Sequence, residues 1–138
     1  MVTAVDTNVL LDVFLDDIEY RQSSFEALTA AFSAGDVIVS DIVWAETGAA
    51  FENNATFEVV MQKLGIKYVA LTQSAATHAS ELWRVAKARK SIPPKRVVAD
   101  FLVGAHALEC ADRLLTRDHG FYRDYFKGLE VVDPSKPI

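Results

Sequence analysis

Residues 2–12 read VTAVDTNVLLD, and this stretch decides the fold. Val2-Thr3-Ala4-Val5 is a short β-prone run that ends at Asp6. Four similar apolar runs follow along the chain, at residues 37–39, 68–71, 113–116 and 129–132. Apolar runs this short are typical of strands buried on both faces of a sheet. The first run therefore predicts the first strand of a sheet whose other strands are spread along the rest of the chain.

Segments with helical spacing of apolar residues lie between these runs. They predict helices over residues 18–34, 41–51, 55–64, 74–90 and 97–110. Ser40 has the position of a helix N-cap, and Gly35 and Gly65 follow the ends of two other helices. Strands that alternate with helices imply right-handed crossovers and a parallel sheet covered on both faces. We therefore expect residues 1–138 to form a single α/β domain with three layers, α/β/α.

Length and composition exclude several classes of protein. The chain has 138 residues, of which 51% are hydrophobic and 24% charged, and this balance fits one domain with one core. A single cysteine, Cys110, excludes an internal disulfide and a cysteine-based zinc site. No apolar run approaches the roughly 20 residues that span a bilayer, and the acidic first segment lacks the basic head of a signal peptide. We expect a cytoplasmic protein without a membrane partner.

Charge is distributed unevenly along the chain. Residues 1–60 carry eleven acids and one base, whereas residues 61–138 carry eight acids and thirteen bases. Six bases and no acid fall in one short stretch: Arg84, Lys87, Arg89, Lys90, Lys95 and Arg96. A local basic stretch can bind a phosphate backbone even on an acidic protein, because steering depends on the local field. The alternative is a solvated helix face that leads into a loop.

Four acids lie where the predicted strands end. Asp6 ends the first strand, and Asp118 lies two residues past Thr116, which ends the fourth. Glu46 lies on the helix after the second strand, and Asp100 lies in the first turn of the helix that leads to the fourth. Ligands of open parallel sheets bind outside the carboxyl ends of the strands. If the first and fourth strands are neighbours, all four carboxylates can converge at one end of the sheet.

Such a cluster of acids requires neutralisation. Carboxylates that lie close together repel each other, and burial disfavours their charged forms further. Hard divalent cations such as Mg²⁺ or Mn²⁺ take oxygen ligands, and two of them about 4 Å apart can activate a water and stabilise the leaving oxygen of a phosphodiester. An acidic pocket bordered by a basic stretch therefore predicts a metal-dependent nuclease.

Each acid also has a structural alternative. Asp6 can cap the next helix, Glu46 can be an ordinary exposed helix acid, and Asp118 can cap a short helix. Asp100 lies in an otherwise apolar stretch, where an unpaired buried carboxylate would be costly. The remaining acids near the first strand are interpreted as surface residues: Asp12, Asp16 and Asp17.

Several segments resemble PIN-domain ribonucleases, and the C-terminal half resembles the VapC-type toxins of type II toxin–antitoxin systems. Residues 5–12, VDTNVLLD, resemble the opening motif of the family, and residues 40–46, SDIVWAE, fit its middle segment. Residues 100–108, DFLVGAHAL, and 114–122, LLTRDHGFY, resemble the C-terminal half of the toxins. Each motif is short, but together they span nearly the whole chain in the expected order.

The resemblance implies a sheet in the order 3-2-1-4-5, with strands one and four side by side. It implies endonucleolytic cleavage of RNA that depends on Mg²⁺ or Mn²⁺, by in-line attack of a metal-activated water that leaves a 5′-phosphate and a 3′-hydroxyl. The implied catalytic and metal-binding residues are Asp6, Glu46, Asp100 and Asp118. Among them, Asp6 and Asp100 match the direct ligands of the first metal ion.

Other polar residues have supporting or structural interpretations. Asn8 and Thr116 match positions that hold the acids through hydrogen bonds. The basic stretch is not part of the resemblance, and from its charge alone we predict four contacts with RNA: Arg89, Lys90, Lys95 and Arg96. His78 and Cys110 are interpreted as structural, and His106 is expected to face away from Asp100, six residues earlier on the same helix. His119 is interpreted as a simple loop residue, with a contact to RNA as the alternative.

The resemblance also implies protein partners. Toxins of this type form homodimers and are silenced by a cognate antitoxin, whose C-terminal segment lies in a groove beside the active site and presents an arginine to the acids. A guanidinium can satisfy a carboxylate cluster and displace its metal. Phe14, Leu15 and Trp44 are candidates to line that groove, with packing in the core as the alternative.

Other functions remain as alternatives. A response-regulator receiver would pair two acids after the first strand and place a lysine after the fifth, and a haloacid-dehalogenase phosphatase would have a second aspartate where Asn8 stands. Neither pattern is present. A catalytically inactive PIN-like module that binds RNA or protein, and a housekeeping RNA-processing nuclease without an antitoxin, stay open.

Overall fold

The computed structural model describes residues 1–89 and 98–136. The strands within these ranges are β1 (Thr3–Val5), β2 (Val37–Val39), β3 (Lys67–Tyr68), β4 (Arg113–Leu115) and β5 (Glu130–Val132). The helices are α1 (Thr7–Phe14), α2 (Arg21–Ala34), α3 (Asp41–Gly48), α4 (Asn54–Leu64), α5 (Gln73–Arg89), α6 (Val98–Cys110) and α7 (His119–Tyr125). Strands and helices alternate as the sequence predicts, and the α/β/α fold class is confirmed.

The five strands form one parallel sheet in the order β3-β2-β1-β4-β5, which is the predicted order. β1 lies at the centre, and every residue of β1 and β2 is buried. Val5 at the end of β1 pairs with Leu115 at the end of β4. These two strands therefore end side by side, and the residues that follow them emerge at the same edge of the sheet.

The outer strands differ from the prediction of burial on both faces. β3 was expected over residues 68–71, but it consists of Lys67 and Tyr68, and both are exposed. Among the described strands, β3 is the outermost on its side and pairs with β2. At the opposite edge, β5 carries the exposed Glu130. Burial on both faces is thus limited to the interior of the sheet.

Within the described chain, residues 1–89 and 98–136, no helix is long and apolar enough to cross a membrane.

Two helices differ from their predicted limits by three residues each. α2 begins at Arg21 rather than residue 18. Asp16 has a left-handed backbone with φ of 51°, and the Asp17 carboxylate accepts hydrogen bonds from the backbone N–H groups of Glu19 and Tyr20. These local bonds form a turn that delays the helix. α3 ends early, at residue 48.

α5 and α6 pack against each other in opposite directions. The start of α5 meets the end of α6, where Thr72 Oγ1, just before α5, donates to Glu109 Oε1 at 2.6 Å. α6 leads into β4, so its first turn, with Asp100, lies at the carboxyl edge of the sheet. In the middle of α6, a Cβ on Gly104 would lie 2.3 Å from Cε2 of the buried Phe126. Glycine therefore permits the close packing that places α6.

Candidate active site

Asp6 lies at the junction of β1 and α1, and only 8% of it is exposed. The backbone N–H of Thr7 donates to Asp6 Oδ1 at 2.8 Å, so Asp6 caps α1 as the structural alternative requires. Thr116 Oγ1 donates to the other oxygen, Oδ2, also at 2.8 Å. The same carboxylate therefore starts a helix and is held by the residue that follows β4.

The environment of Asp6 opposes its negative charge. Burial, as the largest cause, raises the pKa of the Asp6 carboxyl to about 6, and the charge of Asp100 adds to the rise. The hydrogen bonds from Thr116 and Thr7 lower the pKa and only partly offset burial. At neutral pH the ionised carboxylate is thus under-compensated, and a nearby positive charge would stabilise it.

The charges of three acids act on the phenol of Tyr122, a fully buried residue of α7. Burial raises the pKa of Tyr122 well above its usual range, and the charges of Asp6, Asp100 and Asp118 raise it further. Its hydroxyl approaches Asp6 without the geometry of a full hydrogen bond. Because the charges of these three carboxylates, which come from separate elements, act on one phenol, all three lie on the side of the molecule where Tyr122 is buried.

Asp118 occupies the N-cap position of α7, but its side chain makes no capping hydrogen bond to that helix. The capping alternative for Asp118 is therefore wrong. Its backbone N–H donates to Thr116 Oγ1 at 3.0 Å, which ties the turn after β4 to the hydroxyl that also binds Asp6. Asp118 and Asp100 are both half-buried.

Glu46 is exposed on α3 and is linked to the other acids through Thr7. Thr7 Oγ1 donates to Glu46 Oε1 at 2.9 Å, and the backbone N–H of the same threonine binds Asp6. Sequence reasoning gave no role to Thr7. Its only signal is its position directly after Asp6, where a hydroxyl can reach across to the next helix.

Asn8 and Thr116 make the supporting contacts expected of them. Asn8 Nδ2 donates to Thr116 Oγ1 at 3.3 Å and reaches Asp6 Oδ2 at 3.5 Å, the outer limit of a hydrogen bond. Thr116 is fully buried. Together they fix the orientation of the Asp6 carboxylate from two directions.

The side chains do not form a ready-made coordination shell. In the ranges 1–89 and 98–136, no three His, Cys, Asp or Glu side chains are grouped closely enough to hold one metal ion. The donor chemistry nevertheless fits a hard divalent cation, because the converging groups are carboxylates and the pKa of Asp6 is raised by burial. Repulsion among like charges favours their separation, and a shared cation would favour their approach.

Asp12 is buried, with 3% exposure, so its interpretation as a surface acid is wrong. Arg117 binds it with two hydrogen bonds, Nε to Oδ2 at 2.7 Å and Nη2 to Oδ1 at 2.9 Å, and Ser24 Oγ donates to Oδ2 at 2.7 Å. Asp12 lies one turn after Asn8 on α1, so both face the turn after β4. Asp16, by contrast, is exposed as predicted.

The described part of the basic stretch lies at the same end of the molecule as the acids. Arg84, Lys87 and Arg89 are exposed on the last turns of α5, whose C-terminal end is adjacent to the start of α6 because the two helices run in opposite directions. Lys90, Lys95 and Arg96 lie outside the described residues, and their predicted contacts with RNA stay predictions.

A groove of about 270 Å³ opens between the end of α1 and the loop from α3 to α4. Its lining residues are Phe14, Leu15, Ala50, Phe51, Glu52, Asn53 and Thr56. Trp44 is not among them and packs instead against the rings of Phe57 and Tyr68, with centroids 4.9 and 5.5 Å away. For Trp44, the alternative of packing against the core is the one that the structure shows.

His106 is buried away from the acids, as the sequence predicts. Its Nε2 lies 2.8 Å from the carbonyl oxygen of Val69, and burial lowers the pKa of its imidazole. A neutral ring that donates to Val69 satisfies both observations. His106 is therefore not part of the candidate site. His119, interpreted from the sequence as a loop residue, is instead the first residue of α7, directly after Asp118.

Comparisons with known proteins agree with this geometry. The profile of the PIN domain matches residues 3–127. No curated protein matches the sequence. Among solved structures, VapBC2 from Rickettsia felis bound to a fragment of promoter DNA is similar with a TM-score of 0.72 and 17% identity, covering 96% of this chain and 98% of that chain.

Two further solved structures share the fold. VapBC-1 from nontypeable Haemophilus influenzae has a TM-score of 0.72 and 16% identity, with 99% of this chain and 100% of that chain covered. A toxin–antitoxin complex from Klebsiella pneumoniae has a TM-score of 0.65 and 23% identity, with coverages of 96% and 97%. Identities this low show a common fold, and the assignment of a family rests on the matching profile.

Proposed function

The chain belongs to the PIN-domain family, a family of nucleases, and from this premise we propose that it is a metal-dependent endoribonuclease, the toxin of a toxin–antitoxin pair. The observation that carries the proposal is that β1 and β4 end side by side, with Thr116 bonded both to the Asp6 carboxylate and to the backbone of Asp118. The charges of Asp6, Asp100 and Asp118 also act together on the phenol of Tyr122. A buried acid with a purely structural role is normally paired with a cation, which keeps its pKa low. Burial instead raises the pKa of Asp6 to about 6, and a pKa shifted in this way is typical of a functional site.

In this proposal, Asp6 and Asp100 are the first ligands of Mg²⁺ or Mn²⁺, and Glu46 and Asp118 complete the site. A bound cation of this type supplies positive charge that activates water and stabilises a leaving oxygen. The chain supplies orientation, since Asp6 is held by the hydroxyl of Thr116 and the backbone of Thr7. The expected products carry a 5′-phosphate and a 3′-hydroxyl.

RNA is the proposed substrate because a basic surface borders the acids. Arg84, Lys87 and Arg89 project from the end of α5 beside the start of α6, where Asp100 lies. They would bind phosphates on either side of the cleaved bond, which the acids alone would repel. Lys90, Lys95 and Arg96 lie outside the described residues and are proposed as further RNA contacts from their charge alone.

A cognate antitoxin is the proposed protein partner, and a homodimer or a toxin–antitoxin hetero-oligomer is the proposed assembly, acting in the cytoplasm. The groove beside Phe14 and Leu15 offers an apolar floor for a peptide segment, and Leu15 is exposed. The N-terminal 60 residues, with a net charge of −10 from eleven acids and one base, favour a basic partner. Solved structures with this fold include complexes with antitoxins.

The decisive experiment is cleavage of a defined single-stranded RNA by purified protein with Mn²⁺, with Mg²⁺ and with EDTA. We expect cleavage only with a divalent ion and none by the Asp100→Asn variant. Asp124→Asn is the matched control, because Asp124 is an exposed acid on α7. It should cleave like the unmodified protein.

Other outcomes separate the alternatives. Equal cleavage by the unmodified protein and Asp100→Asn would mean that the site is wrong or that a contaminant cuts the RNA. RNA binding without cleavage under any ion would favour the inactive binding module. Sequencing the 5′ ends of cellular RNA after induction would then identify the RNA class of an active enzyme.

A further inference from the structure

The turn between β4 and α7 is fastened to one face of α1. Thr116, Arg117 and Asp118 form this turn, and Asn8 and Asp12, one helical turn apart, form the polar face of α1. Asn8 Oδ1 accepts a hydrogen bond from the backbone N–H of Arg117 at 3.1 Å. The backbone N–H of Thr116 still pairs with the carbonyl of Val132 in β5 at 3.0 Å, whereas the next residue of the turn is held by a side chain of α1.

The strongest of these contacts is the ion pair of Arg117 with Asp12. It is bidentate, with both distances under 3 Å, and Asp12 is buried. A third hydrogen bond from Ser24 on α2 holds the same carboxylate. A planar guanidinium that makes two parallel hydrogen bonds to one carboxylate has a single geometry. The pair therefore fixes the orientation of the Arg117 side chain as well as its distance from Asp12.

Tyr20 holds the guanidinium from another side. The Cζ atom of Arg117 lies 4.0 Å from the centroid of the Tyr20 ring, a cation–π contact. Arg117 is therefore held by α1 through Asp12 and by the residue that precedes α2. A lysine could keep the charge but neither the fork nor the stacking.

We propose that the Asp12–Arg117 pair is a positioning device for Asp118, which sets the distance of Asp118 from Asp6 and thereby the affinity for the divalent ion. This inference rests on the proposed function and deepens it. Arg117 touches neither substrate nor metal in this role and acts only through the next residue. The pair belongs to the supporting contacts that orient metal ligands, whose loss typically lowers metal affinity 10- to 100-fold.

Calorimetric titration of Mn²⁺ into metal-free protein tests the inference without relying on cleavage. Arg117→Lys should raise the Kd for Mn²⁺ by roughly 10-fold. Cleavage by this variant should recover when Mn²⁺ is raised, so that the metal requirement changes more than the rate at saturation. Arg123→Lys is the matched control, because Arg123 is exposed on α7, and its Kd should not change.

A double-mutant cycle identifies the residue through which Arg117 acts. If it acts through Asp118, Arg117→Lys should add little to the Kd increase of Asp118→Asn. Full additivity would overturn the inference, and so would an unchanged Kd in Arg117→Lys with only a lower melting temperature. Asp12→Asn keeps the shape of the buried partner and provides the same titration if Arg117→Lys does not fold.

The two proposals fail in different ways. Unmodified protein that binds no Mn²⁺ would overturn the proposed function and this inference with it. Unmodified protein that binds Mn²⁺ and cleaves RNA, together with an Arg117→Lys variant of equal affinity, would overturn the inference alone.

Discussion

Replacing Asp6 by asparagine should remove cleavage and, in the presence of EDTA, stabilise the fold. The pKa of Asp6 rises from 3.8 to about 6 on folding, because burial disfavours the charged form. At 1.36 kcal/mol per pKa unit, ionised Asp6 lowers the free energy of unfolding by about 3 kcal/mol at neutral pH. Asparagine resembles the protonated carboxyl that the fold prefers, so the variant should recover most of the roughly 3 kcal/mol by which ionised Asp6 lowers the free energy of unfolding.

The free energy of unfolding of Asp6→Asn at pH 7 should be about 2 kcal/mol higher than that of the unmodified protein. This value allows about 1 kcal/mol for the amide NH₂ group, which pairs less well with Thr116 and Asn8 than a carboxylate oxygen does. The difference of about 2 kcal/mol corresponds to about 6 °C in melting temperature for a chain of this size. The pH dependence follows from the raised pKa. The folded state binds the proton more tightly, so the contribution of Asp6 to stability is complete below pH 3.8 and is lost as pH rises through about 6.

Urea unfolding of both proteins in EDTA, at pH values from 4 to 8, measures this difference. Because the cost of the amide contacts does not vary with pH, Asp6→Asn should be slightly less stable than the unmodified protein at pH 4, by less than about 1 kcal/mol, and its advantage should reach its maximum above pH 7. In Mn²⁺ the order should reverse, since only the unmodified protein gains from metal binding. A variant that is less stable than the unmodified protein by the same amount at every pH would refute the claim that Asp6 carries an under-compensated charge.

Three other predictions concern packing, substrate binding and the buried histidine. Gly104→Ala should lower the free energy of unfolding by about 1–3 kcal/mol in urea titrations, because the new Cβ overlaps a buried ring, whereas Gly120→Ala meets nothing within 4 Å and should not destabilise. Glutamine substitutions at Arg84, Lys87 and Arg89 should make RNA affinity less dependent on salt. The slope of log affinity against log salt concentration should fall by about 0.7 for each phosphate contact that is lost. His106→Gln should weaken the loss of stability below pH 6.5, because burial lowers the pKa of His106 in the fold and protonation therefore favours unfolding.

Each of these has a result that contradicts it. A stable Gly104→Ala would mean that α6 can move away from α7. For RNA binding, Lys63→Gln is the control, since Lys63 lies in the last turn of α4, which leads to the amino end of β3 and so away from the carboxyl ends where the acids lie. An equal change of slope in this control would assign the effect to net charge. Identical pH profiles for His106→Gln and the unmodified protein would mean that other groups control acid sensitivity.

The positions of the acids were predictable because they depend on strand ends. Asp6 directly follows one apolar run and Thr116 ends another, and neighbouring parallel strands place the residues at their ends at one edge of the sheet. The order of the strands followed from the resemblance to a family. Local sequence also predicted the cap at Ser40, whose Oγ accepts from the backbone of Val43 at 3.2 Å.

The burial of Asp12 was not predictable from its surroundings in the sequence. Its partner Arg117 lies 105 residues away, and an acid in a short segment that starts with VDTN carries no local sign of a distant guanidinium. The effect of three acids on Tyr122 was not predictable for the same reason. A tyrosine among other aromatic residues in the sequence indicates only a place in the hydrophobic core. α1 was not among the predicted helices because its residues 9–11, VLL, are continuously apolar and show no period.

The two edges of the described sheet limit how copies of this chain can associate. β3 has two residues and β5 has three, and each places a charged side chain in solvent, Lys67 and Glu130. Short edge strands with charged side chains disfavour pairing with a strand of another molecule, and they therefore disfavour aggregation through the sheet edges. A dimer built by continuing the sheet from one subunit into the next is therefore disfavoured, and helical surfaces are left for self-association.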